Sequence, residues 1–254
     1  MADVVERPAA SAVKRRAGTY SGRFALVQLL VMILSAGLLA LFAVLISRSD
    51  SHRAWSTYKP KGHETIARAQ NMANYVAPRY VSGGIPIAVV QAQPLVYKDA
   101  VVDGIAFMRT AAQGVGSATS QFETASKTML YVFCGSAAGC GLANTGEDVL
   151  PLLRRESLEL ALYTFKYWPD TKSVAILLPA NKKQSPAFLF RRRKLTKELS
   201  KPLAATLPNR DQVTVSSLTQ DEVATIQRLT EGSIYLSRFQ QTGNGHTLLL
   251  LGRR

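Results

Sequence analysis

The chain has 254 residues, which is enough for one large domain or for two small ones with added segments. Hydrophobic residues make up 47% of it, so the composition excludes a chain that is too polar to form a packed core. The formal net charge of +14 disfavours cationic partners and favours anionic ones.

The positive charge lies mainly beyond the first uncharged stretch. Residues 1–46 hold five basic and two acidic residues, a net +3, so residues 47–254 carry the remaining +11. A field of that sign attracts lipid head groups, acidic proteins, wall polymers or nucleic acid. Charge that serves only solubility is the alternative.

Residues 1–23 form a basic tail without an apolar period, which predicts a disordered cytoplasmic segment resting on anionic lipid. The uncharged stretch 24–46 follows, and a helix of this length can cross the ~30 Å hydrocarbon core. Buried helices of soluble proteins rarely run so far without a charge. A cleavable signal peptide has a shorter apolar region and an A-x-A-like site, which "VLISRSD" lacks. We therefore expect a transmembrane signal anchor.

Basic residues on the two flanks of this stretch set the expected orientation. Five lie before it, and Arg48, Arg53, Lys59 and Lys61 lie after it, which is a weak positive-inside bias. A short tail before a long folded domain usually stays in the cytoplasm. We expect a single-pass protein of the cell membrane, with a cytoplasmic N-terminus and an extracytoplasmic C-terminal domain.

Small residues recur along the expected membrane helix. Ala36 and Ala40 form a small-xxx-small pair that Gly37 and Ala43 extend, and such a stripe lets two helices pack closely. It is a candidate contact with another membrane subunit or with a second copy of the chain. Small residues are also common in membrane helices that make no such contact.

Residues 47–61 are expected to form a charged stalk, and residues 62–150 a first α+β part. Pro94 within a strand pattern indicates an edge strand or a bulge. In chain order the patterns predict a helix ending before Pro78, a turn over 82–86, a strand over 87–97, its partner over 104–110 and a strand over 128–133.

The two cysteines, Cys134 and Cys140, lie in the small-residue stretch "YVFCGSAAGCG". Their C-x5-C spacing differs from the C-x2–4-C of zinc loops and from the C-x-x-C of thioredoxin-like sites. Outside the cytoplasm, the small residues between them would let the two Cα atoms approach to about 5.5 Å. We therefore expect a disulfide that closes a small loop and adds roughly 2–3 kcal/mol. In the cytoplasm the expectation is two reduced thiols.

The second α+β part, residues 151–254, shows clearer patterns. Thr219 and Glu222 have the spacing of a capping box, and "TGNG" is typical of a hairpin turn. The patterns predict a helix over 152–168, a strand over 173–180, its hairpin partner over 187–192, a helix over 194–199, a strand over 212–218, a helix over 220–231 and paired strands over 233–241 and 246–254.

This order of elements predicts an α+β fold with a mainly antiparallel sheet. Phe188 and Phe190 alternate along one predicted strand and are expected to face the core.

No motif of a catalytic, metal or cofactor site is present, so the sequence predicts none of these and no enzyme. An anchored hydrolase would need a serine or aspartate near His246. Glu156 and Glu159 could be paired carboxylates for acid–base work. Because Arg154, Arg155 and Lys166 surround them, a solvated helix face is the favoured interpretation.

The densest basic patch is a candidate site for an anion or a partner protein. A solvated strand end is the alternative, and nucleic acid is not expected because stacking aromatics are missing from the patch. Its residues are Lys182, Lys183, Arg191, Arg192, Arg193, Lys194 and Lys197.

The arrangement of a short tail, a single anchor and an outward α+β domain resembles that of many accessory and assembly proteins of envelope complexes. The first hypothesis is accordingly a non-enzymatic accessory, scaffold or assembly subunit of a cell-envelope membrane complex. Its partners would be other membrane or envelope proteins, anionic lipid at the tail, or further copies of the chain. The second hypothesis is an anchored module that binds an anion or polymer (wall polymer, lipid or a small ligand). The anchored hydrolase is the least favoured.

Overall fold

The computed structural model describes residues 26–38, 55–62, 64–97, 100–108, 121–134, 148–179 and 185–252. They belong to two compact units, Met1–Ala54 and Trp55–Arg254. In the first unit, residues 26–38 form a helix, α1. Across the described ranges, no helix is both long enough and apolar enough to cross a membrane. The rest of the stretch 24–46 lies outside the described residues, so the transmembrane anchor stays a prediction.

The described residues of the second unit form four α-helices and eleven strands, besides short 3-10 turns. The helices are α2 (Thr65–Val76), α3 (Leu150–Tyr167), α4 (Thr196–Leu199) and α5 (Gln220–Thr230). The strands are β1 (Val81–Ser82), β2 (Ile85–Pro86), β3 (Val89–Gln93), β4 (Val96–Tyr97), β5 (Ala100–Met108), β6 (Gln121–Thr124), β7 (Thr128–Cys134), β8 (Ser173–Leu177), β9 (Ser185–Arg191), β10 (Ile234–Gln241) and β11 (Thr247–Gly252).

One sheet of nine strands runs through both α+β parts of the chain. Its order is β3-β7-β8-β9-β10-β11-β5-β4, and β6 also pairs with β5. The β7–β8 and β11–β5 pairs are parallel, and the other pairs are antiparallel. The prediction of an α+β fold with a mainly antiparallel sheet is therefore confirmed. β1 and β2 form a separate small hairpin.

The sheet curls back on itself because very short connections join its two ends. β3 and β4 stand at opposite ends of the strand order, yet only Pro94 and Leu95 separate them. Two intervening residues span at most about 11 Å between the flanking Cα atoms. The expectation of an edge strand at Pro94 is met, since the predicted strand 87–97 is two edge strands.

Both faces of the curled sheet carry apolar side chains. On β8, Val174 and Ile176 face the helices, whereas Ala175 and Leu177 face the inside of the curl. Phe188 and Phe190 of β9 lie buried on the helix side, as predicted. Because both faces are covered, the central strands form continuous apolar runs instead of alternating with polar residues.

Two predicted strand features are wrong. Residues 212–218 form no strand: Val213 makes an isolated bridge to Tyr80, and Val215–Ser217 form a 3-10 turn. The Thr214 hydroxyl accepts from the Ser217 backbone N–H at 3.2 Å, a local bond that competes with a strand ladder. Residues 104–110 were expected to pair with 87–97, but β3 pairs with β7. Within 87–97, only the short β4 pairs with β5, through Ala100 and Val101.

The end of the predicted stalk packs into the domain. The Trp55 ring meets the Tyr163 ring edge-on at 5.4 Å, and the Tyr58 ring stacks on the Tyr75 ring at 4.0 Å. The Leu203 backbone N–H donates to the Trp55 carbonyl at 2.8 Å. Residues 55–58 are thereby fixed to α2 and α3.

A single side chain closes the outer edge of β3. The Gln70 amide of α2 donates to the Val90 carbonyl at 3.0 Å and accepts from the Ala92 N–H at 2.8 Å. Both backbone groups belong to the side of β3 that has no neighbouring strand. Gln70 thus satisfies an edge that could otherwise pair with another chain.

We expect Trp55→Ala to lower the free energy of unfolding by about 2–4 kcal/mol, because it removes a half-buried ring from the cluster around Tyr163. Lys59→Ala, at an exposed neighbouring position, is the control and should change it by less than about 0.5 kcal/mol. Urea unfolding of the full chain measures both. Equal stability of the two variants would show that the segment does not support the domain.

Candidate functional site

The two glutamates of α3 are buried, so the expected solvated helix face is wrong. Glu156 is 0% exposed and Glu159 is 3% exposed. The sheet, α2 and α5 surround α3, and most of its side chains are inaccessible to water. Among the charges that indicated a surface helix, Arg155 and Glu159 instead pair with each other inside the protein, at 3.5 Å.

A buried charge network joins α3 to α5 and to the chain around Tyr80. Arg155 donates to Glu222 at 2.7 Å, to the Tyr80 hydroxyl at 2.6 Å and to the Pro208 carbonyl at 2.6 Å. The Tyr80 hydroxyl donates in turn to Glu159. We define the charge network as Arg79, Tyr80, Arg155, Glu159, Arg210 and Glu222, in which Arg79 pairs with Glu159 and Arg210 with Glu222.

The carboxyl groups of Glu156 and Glu222 have pKa shifts of opposite direction. Burial and the nearby charge of Glu159 raise the pKa of Glu156 well above its ordinary value, and Arg79 offsets this only in part. Neither carboxyl oxygen of Glu156 has a described hydrogen-bond partner. At Glu222, burial also opposes ionisation, but hydrogen bonds from Arg210 and Arg155 outweigh it and lower the pKa. The pKa of Glu156 is therefore raised, whereas that of Glu222 is lowered.

The charge network connects structural elements and lines no described cavity. A cavity of about 200 Å³ between α3 and α5 is bordered by Leu150, Arg154 and Ile226, among others, but by no member of the network. We assign the network to holding α3 and α5 together.

A larger cavity opens where β6, β8 and β9 meet. It has a volume of about 420 Å³, within the usual range for ligand sites. Ser173 of β8 pairs with Arg191 of β9, and the backbone of Lys172 bonds to that of Lys127 and to that of Arg192, each at 2.9 Å. The residues lining this basic cavity are Phe122, Glu123, Thr124, Ser126, Lys127, Lys172, Ser173, Arg191, Arg192 and Arg193.

Two arginines of the basic cavity are held by the protein itself. Arg191 donates to Glu123 at 2.6 Å and lies over the Phe107 ring. Arg192 donates to the carbonyls of Thr171 at 2.9 Å and Trp168 at 2.6 Å, and also to that of Phe165 at the end of α3. Cations are favoured at helix C-termini because the helix dipole is negative there.

The other three cations of the cavity are exposed. Lys127, Lys172 and Arg193 form no ion pair with any carboxylate that the structure describes. Five cations and one carboxylate, Glu123, therefore line the space, which leaves a net positive charge. Hydroxyls of Thr124, Ser126 and Ser173 border the same space. Such a cavity can hold an anion between fixed guanidinium groups and mobile lysines.

The structure brings together only part of the predicted basic patch. Arg191, Arg192 and Arg193 line the cavity, whereas Lys194 and Lys197 are exposed outside it. Lys182 and Lys183 lie outside the described residues. Sequence reasoning missed Lys127 and Lys172, because their proximity depends on the parallel pairing of β7 with β8, which places Thr128 beside Ser173.

Other predicted sites are only partly described. The backbone of Cys134 ends β7, but its side chain and Cys140 lie outside the described residues, so the disulfide stays a prediction. Ala36 and Gly37 belong to α1, and Ala40 and Ala43 lie outside the described part.

His246 does have an aspartate beside it, as the hydrolase hypothesis requires. Its Nδ1 lies 3.2 Å from Asp103, and both side chains are exposed. The same Asp103 oxygen accepts from the Thr247 backbone N–H at 3.0 Å, so it also fixes the start of β11. The described hydrogen bonds of the His246 ring include no serine or threonine hydroxyl, and the pair therefore lacks a nucleophile among them.

Comparison with protein-family models gave no match, and neither did comparison with curated proteins or with solved structures. The site is therefore interpreted from its own geometry.

Replacing Glu222 and replacing Glu156 should have different effects on the stability of the fold. We expect Glu222→Gln to destabilise the fold by about 3 kcal/mol or more at neutral pH, because it removes the carboxylate that pairs with the buried Arg155 and with Arg210. We expect Glu156→Gln to be tolerated, because burial and the charge of Glu159 already favour the uncharged form of this side chain. The pKa of Glu222 is lowered in the folded state. Its contribution to the free energy of unfolding is therefore present above the ordinary pKa of glutamate and is lost as the pH falls through the folded-state pKa.

At Glu156, the expected dependence of the free energy of unfolding on pH has the opposite sign. Its folded pKa is raised, so wild-type stability relative to Glu156→Gln falls as pH rises above the ordinary value of 4.5. Urea unfolding of both variants and the wild type at pH 5 and pH 8 measures this. A Glu156→Gln protein that loses stability relative to the wild type as pH rises would contradict the assignment.

Proposed function

We propose that this chain is a non-enzymatic, membrane-anchored binding protein whose domain binds an anionic ligand in the basic cavity. This is the second of the functions predicted from the sequence. The observation that carries the proposal is the set of three exposed cations, Lys127, Lys172 and Arg193, around a cavity of about 420 Å³.

The cavity is largely preorganised for this role. Arg191 and Arg192 are held in place by Glu123 and by the end of α3, so an anion entering the cavity does not have to order them. The lysines provide mobile point charges, and the hydroxyls provide neutral donors. Together they suit a phosphate-like group, whose oxygens accept several hydrogen bonds at once.

The role of an accessory subunit remains a separate hypothesis. It depends on the predicted anchor 24–46 and on its stripe of small residues, of which Ala36 and Gly37 are described. Anion binding makes a more specific statement about the folded domain, because the cavity residues it needs are all described.

Anion binding can be measured by titrating the full chain in neutral detergent with pyrophosphate and with glycerol phosphate in a calorimeter. We expect Lys127→Gln/Lys172→Gln/Arg193→Gln to weaken binding about tenfold or more, since each charged hydrogen bond contributes about 1.5 kcal/mol or more. These side chains are exposed, so a thermal melt should show that the variant folds.

The matched control is Lys194→Gln/Lys197→Gln/Arg238→Gln. It removes the same charge, partly from the same basic stretch of sequence, but outside the cavity. It should bind nearly as the wild type does. Equal weakening by both triple variants, or no binding by the wild type, would refute the cavity as a site.

The orientation of the protein is tested separately. If residues 24–46 are a signal anchor, protease added to intact spheroplasts should remove the C-terminal domain, because the domain lies outside. A cytoplasmic protein of the same cells is the control and should survive until lysis. Protection of the domain until lysis would reverse the proposed topology.

A further inference from the structure

The C-terminal end of α3 contacts both Trp55, the first described residue of the domain, and Arg192 of the basic cavity. The Trp55 ring lies 5.4 Å from the Tyr163 ring and 6.1 Å from the Tyr167 ring, and Lys166 lies over it. In the same helical turn and just after it, the carbonyls of Phe165 and Trp168 accept from Arg192 of the cavity. Trp55 and Arg192 of the cavity therefore both contact the C-terminal end of α3.

Few residues separate the predicted anchor from the first described residues of the domain in the sequence. Only eight residues, 47–54, separate Ile46 from Trp55. A chain of that length spans at most about 30 Å between the flanking Cα atoms. Because Trp55 and Tyr58 are packed against α2 and α3, residues 55–58 add no free length.

The cavity also offers an apolar contact beside its cations. Phe122 lines it and is 57% exposed, although most other phenylalanines of the domain are buried. Its ring lies over Gly104, where a Cβ would come within 2.3 Å of it, so the lack of a side chain at that position seats the ring. An exposed aromatic ring among lysines and arginines is a combination that suits a membrane interface.

We propose that the ligand of the basic cavity is the phosphate of an anionic lipid headgroup, in the membrane leaflet on the domain's own side. This rests on the proposed anion-binding function and adds the source of the anion. Lys127, Lys172 and Arg193 contact the phosphate oxygens, and Phe122 contacts the apolar region beneath the headgroup. The surface potential of anionic lipid raises the local concentration of such phosphates near the domain.

The occupied cavity would fix the domain against the bilayer by two attachments. One is the chain leading from residue 46 to Trp55, and the other is the lipid held between β6, β8 and β9. A domain attached at one point can rotate about that point, whereas two attachments orient it. The proposal therefore concerns orientation as well as binding.

The test uses the full chain in nanodiscs of phosphatidylcholine alone or with phosphatidylglycerol added. Acylation of lysines by a soluble reagent, read by mass spectrometry, reports which amines are covered. We expect acylation of Lys127 and Lys172 to slow several-fold in the phosphatidylglycerol discs. Acylation of Lys194 and Lys197, outside the cavity, should slow much less.

Variants separate a specific site from diffuse attraction. With Arg193→Gln/Phe122→Ser, the protection of Lys127 and Lys172 should be largely lost. With Lys194→Gln/Arg238→Gln it should persist. Equal protection of all four lysines in the wild type, or equal loss in both variants, would show diffuse attraction and overturn the proposal.

Soluble glycerol phosphate distinguishes a lipid headgroup from a soluble phosphate as the ligand. It also separates failure of the lipid assignment from failure of the proposed anion-binding function. If it protects Lys127 and Lys172 in phosphatidylcholine discs while phosphatidylglycerol does not, the cavity binds a soluble phosphate, and only the lipid assignment fails. If neither protects these lysines, the proposed anion-binding function fails as well. Protection of Lys127 and Lys172 by phosphatidylglycerol in the discs, whether or not the soluble ester also protects them, would support both.

Discussion

Arg155 is the side chain on which the arrangement of helices depends. It is almost completely buried, and it binds Glu222 of α5, the Tyr80 hydroxyl and the Pro208 carbonyl at once. A buried guanidinium is tolerated only when its donors are satisfied, so these partners must reach it together. Their positions fix α5 on α3 and fix the chain near Tyr80 beneath them. Glu156 lies beside the network, and burial raises the pKa of its carboxyl group.

The opposite end of α3 organises the surface that we associate with binding. There the Trp55 ring contacts the Tyr163 ring, and the Trp168 carbonyl accepts from Arg192 of the basic cavity. One helix therefore has a buried ionic end, which assembles the domain, and an end that carries the candidate site. A change at Arg155 should act on stability, whereas a change at Arg193 should act on binding alone.

Local patterns in the sequence predict most elements, and nonlocal contacts explain what they miss. The helix near 65–76, α3, the β8–β9 hairpin, α5 and the β10–β11 hairpin follow from periodicity, capping and turn residues that act within a few positions. The two parallel pairs join strands far apart in sequence, and no local signal encodes them. The same limit explains why Arg191 to Arg193 were found but Lys127 and Lys172 were not. The charges of α3 were misread because buried ion pairs and solvated ones have the same spacing.

The contact of Gln70 with β3 bears on the fidelity of strand pairing. Side chains alternate across a strand, so a slip of β3 by one residue along β7 would turn Val90 and Ala92 from the core to the solvent. The same slip would present Gln70 with backbone groups pointing the wrong way, because only alternate residues direct their N–H and C=O groups to the free side. The two hydrogen bonds of the Gln70 amide thus form only when the five-residue strand β3 is correctly aligned on β7. A misaligned β3 loses apolar burial and both amide bonds together, which makes the correct alignment an all-or-none choice.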